Sequence, residues 1–133
     1  MNDLLSASSL FLAVIGLLYS SWYNEIKNAE NLIPEKHKDD RKKSTNIVST
    51  TYHNRALPLA LATSILTLIL LPDLIKIIIE AVNRIISYGF KSFINYNAVK
   101  LMYFAISITT IGLAFHTINL TRKIRSRWKE MLK

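Results

Sequence analysis

Three histidines, nine carboxylates and no cysteine are the side chains from which an active site could be drawn in this sequence. His37, His53 and His116 stand far apart. His37 has Asp39 and Asp40 beside it, but no second histidine lies at helical or hairpin ligand spacing. The cluster EKHKDDRKK therefore reads as solvated charge and not as a metal site. Without cysteine there is no thiolate nucleophile, no disulfide framework and no sulfur ligand. No Ser/His/Asp grouping, phosphate-binding glycine loop or dinucleotide fingerprint occurs. These residues describe a protein that is not an enzyme and that takes no metal or cofactor.

What order the charges do have is linear. Asp73, Lys76, Glu80, Arg84, Ser87 and Lys91 fall within about 80° of helix circumference on an otherwise apolar stretch. The line could border a water-filled pore or grip another subunit. The plainer reading is the wet side of a helix lying in the membrane interface, with Lys76–Glu80 and Glu80–Arg84 closing as four-residue pairs. His116 is the other polar residue of interest. It sits about five residues inside the end of an apolar segment, on one face with Asn119. Ionisable groups inside a membrane span are costly and mark function by default. The alternative is that His116 and Asn119 hydrogen-bond a neighbouring helix or reach interfacial water.

The elements that carry these residues are apolar and long. Of 133 residues half are hydrophobic, yet Lys plus Arg number 17 against 9 Asp plus Glu, for a net charge of +8. The two kinds of residue are segregated, which suits basic loops around membrane helices and argues against a nucleic-acid partner. Leu4 to Tyr23 is free of charge, and about 20 residues at about 1.5 Å each cross a bilayer core. Its end, Ser20-Ser21-Trp22-Tyr23, suits an interfacial belt and no cleavage site, so it is read as a retained first span. Ala56 to Leu71 is also uncharged; extended to about Lys76 it makes a second span, with Pro58 in its first turn and a kink at Pro72. Residues 73–94 continue it as an amphipathic segment, either flat in the interface or bent against partner helices. The last span covers about 100–121. Residues 24–55 form a polar loop and 122–133 a basic tail, whose Ile124, Trp128 and Leu132 edge rests on headgroups. The expectation is one all-α membrane domain over 1–133 with three spans and a Pro72-kinked second helix.

The charges then orient it. The loop and tail hold 13 of the 17 cations, so the positive-inside bias puts them in the cytoplasm and the N-terminus outside. The weight of Ile, Asn and Lys suggests an AT-rich microbial source, and a bacterial inner membrane follows. Arg41, Lys42, Lys43, Arg122, Lys123, Arg125, Arg127 and Lys129 are placed to meet anionic lipids or an acidic partner. Two faces, Ser6/Ser9/Ala13/Gly16/Ser20 and Ala105/Thr109/Gly112, carry small residues at the spacing that lets membrane helices approach closely. In arrangement alone the order of spans is similar to that of the three-span phage holins, which implies a membrane-permeabilising assembly; no sequence motif carries that resemblance. Two functions are compatible with these features. One is a helix-packing subunit of a homo-oligomer that forms a pore or permeabilises the membrane. The other is an accessory or anchoring subunit of a larger transport, secretion, anti-phage or toxin complex.

Overall fold

A computed structural model describes residues 2–33, 38–88 and 97–132, and every element among them is helical. Helix α1 spans Asn2–Asn31 and α2 spans Lys38–Thr51. A π-helical segment, Tyr52–Ala56, joins α2 to α3, Leu57–Tyr88, without a break. Helix α4 runs Ala98–Leu132 and opens on Asn97, whose side-chain oxygen accepts from the backbone N–H groups of Val99 (3.1 Å) and Lys100 (3.3 Å). That is an N-cap satisfying two of the orphan donors of the first turn.

The segment read as a polar loop at 24–55 is therefore mostly helix. Its charged residues made it look like a loop, but every third or fourth position is apolar or small. Arg41 is half-buried, and Ser44, Val48 and Thr51 are buried on one face. The same rule organises the whole chain. Along α1 the seam is Leu5, Ser8, Leu12, Ile15, Tyr19, Trp22, Ile26 and Ala29. Along α4 it is Tyr103, Ser107, Thr110, Ala114, Thr117, Thr121, Ile124, Trp128 and Met131. Steps alternate three and four, the knobs-into-holes spacing of helices that wind around one another.

Between α2 and α3 this alternation has one exception, the five-residue step from Thr51 to Ala56. The π segment supplies the extra residue: the Leu57 N–H reaches back to the Tyr52 carbonyl, five positions away. Beyond it the seam resumes at Leu59, Thr63, Leu66 and Leu70. Pro58 explains why the widening falls here. Inside a regular α-helix its ring would collide with the carbonyl of Asn54, and it brings no N–H. Pro58 was expected at the start of a span and stands instead within a helix that began at Lys38. Pro72, the residue expected to kink the helix, lies inside α3, which extends past it to Tyr88 as the second helix was expected to do. Gly89, Lys91, Asn95 and Tyr96, where that helix was expected to end, lie outside the described residues.

Helix α3 runs antiparallel to both α1 and α4. Thr63 and Thr117 share a hydroxyl–hydroxyl bond of 3.0 Å across the α3–α4 seam, Thr121 donates to the Ala56 carbonyl (3.1 Å) and Tyr103 to that of Leu70 (3.2 Å). Other hydroxyls bond the carbonyl one turn back in their own helix, as Ser8 does to Leu4 and Thr110 to Ile106. So many Ser and Thr sit in apolar helices without an unmet donor because of this back-bonding. In a Pro58→Ala background, where no ring needs the wide turn, deleting Asn54, which is exposed in the π segment, should return the seam to unbroken three–four steps and leave Tm within about 4 °C of that background in a detergent melt. Deleting the exposed Ile65 should rotate one half of the seam by about 100° and abolish the cooperative transition; equal losses for both deletions would refute this account of the π segment.

Candidate functional site

Charged groups meet across helices at two levels only, among the described residues. At one end Arg55 pairs with Glu25, and Glu30 takes Lys27 (2.8 Å) and Lys123 (3.4 Å). At the other, Glu80 pairs with Lys100, and Asp73 with Lys76 at 3.6 Å. Between those levels lie Leu4–Asn24, Ala56–Pro72 and Leu101–Thr121, windows of 21, 17 and 21 residues without an Asp, Glu, Lys or Arg. Their outward side chains stay apolar: Leu10, Leu17, Leu68 and Phe115 are each about two-thirds or more exposed.

Helices α1 and α4 are long and apolar enough to cross a membrane, and only 11% and 22% of their most apolar stretches are buried in the chain. Core helices of a water-soluble protein would be mostly buried, so their apolar surface faces something other than this chain. The class defined is an all-helical protein with two candidate transmembrane helices. No protein-family profile matches the chain, and no curated protein or solved structure matches it either.

The basic end is a folded cap. The end of α1, all of α2 and the end of α4 pack together, with Tyr52 stacked on Trp128 at 5.9 Å and His53 edge-on to Trp128 at 5.5 Å. His53 donates from Nδ1 to the Ser49 carbonyl at 3.0 Å, since a carbonyl can only accept. The expected headgroup-facing edge of the tail is corrected in part: Ile124 and Met131 are buried and Trp128 half-buried in this cap, and only Leu132 points out. The three–four spacing of the inner residues continues the seam, which is why Met131 and not Leu132 turns inward. The cations Lys42, Lys43, Arg122, Lys123, Arg125, Arg127 and Lys129 form the exposed shell.

The two small-residue faces do not hold the three helices of one chain together. Ser6, Ser9, Ala13, Gly16 and Ser20 are exposed, as are Ala105, Thr109 and Gly112. A Cβ added at Gly16 or Gly112 would meet open space. They nonetheless stand at a common depth. Ser9, Gly16, Tyr23 and Glu30 succeed one another every seven residues along α1, as Thr109, His116 and Lys123 do along α4. Glu30 reaches Lys123, and Tyr19 meets the His116 ring edge-on at 5.9 Å. The same offset sets Gly16 level with Thr109 and Gly112, so both exposed faces stand at the same depth of the molecule. His116 is exposed and Asn119 half-buried.

The charged line is also re-paired. Glu80 joins Lys100 of α4, and not Lys76 or Arg84 of its own helix. Arg84 and Ser87 are exposed; Lys91 and His37 lie outside the described residues. Among the described residues no three His, Asp or Glu side chains gather. The sequence reasoning did not reach Lys100, the Thr63–Thr117 bond or the Tyr52/His53/Trp128 stack. The signal was present in the antiparallel hairpin: each of these pairs is close to mirror-symmetric about residue 90.

The Lys27 ammonium, hydrogen-bonded to Glu30, holds that carboxyl below its ordinary value; partial burial opposes this and Lys123 reinforces it. A depressed carboxyl contributes stability that is full above its unfolded value near 4.5 and disappears as pH falls through the folded value. Glu30→Gln should thus lower stability by about 0.5–1 kcal/mol near neutral pH. The loss should shrink as pH falls below 4.5 and vanish once the folded carboxyl is itself protonated, in parallel denaturation of both proteins; a pH-independent difference would assign Glu30 a packing role instead.

Proposed function

We propose that this chain is a small, non-enzymatic integral membrane protein that crosses a bacterial inner membrane three times. The observation that carries the reading is the level alignment of three charge-free windows between two tiers of ion pairs. Windows of 21 residues are about 31 Å long as helix, the thickness of a bilayer core. The α3 window is shorter, about 26 Å, and gains the difference if Lys76 extends its ammonium toward the outer headgroups. The cap carries most of the cations and faces the cytosol, leaving the N-terminus outside.

In this reading the protein works as a helix-packing subunit of a homo-oligomer that permeabilises or gates the membrane. Support comes from the small-residue faces, which are unused within the chain and stand exposed at one depth, where another helix could approach closely. The seam itself is closed: the space among Ile26, Ala56, Leu59, Thr117 and Leu120 has no room for water. A water path would therefore run between copies and not through one.

Because the chain has no cysteine, single introduced thiols report topology cleanly. Ser49→Cys should react with an impermeant maleimide only after the membrane is opened, and Asn97→Cys should react in intact cells; the same response from both would exclude an odd number of crossings. Gly16→Leu and Gly112→Leu should leave helicity unchanged, since both positions face open space, yet reduce the particle mass in detergent toward one chain and abolish ion leak in liposomes. A wild-type chain that is an inert monomer would support the accessory-subunit function instead.

A further inference from the structure

Past Leu74 the α3 seam comes apart. Ile77 is half-buried, and every described residue from Ile78 to Ser87 is exposed. The cause is geometric. Among the described residues, α1 reaches roughly to this level, and α3 and α4 continue beyond it as a pair. What remains is a groove of about 440 Å³ between Ile77–Ile85 and Asn97–Phe104, the size of a small-molecule site. Its walls are aliphatic and aromatic, Ile78, Val82, Leu101 and Phe104 among them. Its rim holds Arg84, Lys100 and Glu80, two cations against one carboxylate.

We infer that this groove binds one anionic phospholipid, its acyl chain along the apolar walls and its phosphate at Arg84 and Lys100. The inference rests on the three-span reading, which sets the rim at the depth of the outer headgroups. The charge is complementary: the rim carries a net positive charge, and the planar guanidinium of Arg84 suits the paired oxygens of a phosphate. An uncharged lipid would satisfy the walls and leave Arg84 unused. Glu80, paired with Lys100, competes with the phosphate for that ammonium, so the pair opens when a headgroup binds.

That competition yields opposite signs for two substitutions. The full chain is reconstituted in vesicles of phosphatidylcholine with phosphatidylglycerol, extracted in mild detergent, and its retained lipids are counted by native mass spectrometry. Arg84→Gln should lower the ratio of retained phosphatidylglycerol to phosphatidylcholine about fivefold, and Glu80→Gln should raise it about fivefold, the effect of one charge at a membrane surface. Ala81→Trp, which fills the groove, should remove the retained lipid that responds to either change. Lipid held by the basic cap is common to all variants and cancels. An unchanged ratio in both charge variants, or a fall in both, overturns the inference, the latter because the pair would then be only structural. A general loss of fold cannot mimic the result, since it cannot raise the ratio in Glu80→Gln. A chain that stays dissolved without detergent would overturn the membrane reading beneath it, whereas a membrane-embedded chain with unaltered ratios overturns the groove alone.

Discussion

Three apolar helical surfaces held level with one another are the constraint on which the rest of the molecule depends. On the proposed three-span reading, a formal charge within any of the windows would have to be paired or neutralised in a low-dielectric setting. Among the described residues every interhelical ion pair lies above or below them: Arg55–Glu25 and Glu30–Lys123 at one end, Glu80–Lys100 at the other. Within the windows the polar work falls to neutral hydroxyls. Thr63, Thr117 and Thr121 bond across the seam, and others, Ser8, Ser64, Ser107 and Thr110 among them, bond their own backbone. Such groups add specificity without the desolvation cost of an ion.

Small seam residues follow from the same condition. Where neighbouring molecules are as apolar as the helices, burial alone gives little preference for one helix over another, and close packing decides. Ser107, Thr110, Ala114 and Thr117 let α4 approach α3 closely, while Ile15, Leu70 and Tyr103 fill the space left over. Toward the cap the seam changes to Ile26, Val48, Ile124 and Met131. There the charged outer surface meets water, and burial of larger side chains becomes the stabilising term.

The π segment connects these two regimes. A helix that runs from the charged cap into the apolar windows must keep one face on its partners throughout, and Pro58 would break that continuity at the boundary. One extra residue in a wide turn accommodates the proline ring and restores the phase of the seam, so α2 and α3 act as one element. At the opposite end nothing similar operates. The three-helix packing ends where α1 begins, and α3 and α4 separate into an open groove with its own charged rim.

Much of this was legible in the residues. The uncharged runs at Leu4–Tyr23, Ala56–Leu71 and 101–121 declare long apolar helices, because composition over about 20 residues is a local property. The concentration of cations in 24–55 and 122–133 is local in the same sense. Partnership was not legible. The sequence showed Glu80 four residues from both Lys76 and Arg84, and only the folded hairpin brought Lys100 within its reach. It showed small residues at Gly16 and Gly112, and only the seam revealed that larger residues about 100° or more away do the packing. It showed a charged stretch at 38–55 that resembled a loop, and only its contact with α1 and α4 made Ser44, Val48 and Thr51 an inner face. Hydropathy is summed along a chain, whereas the choice of which face turns inward is settled by the neighbours it meets.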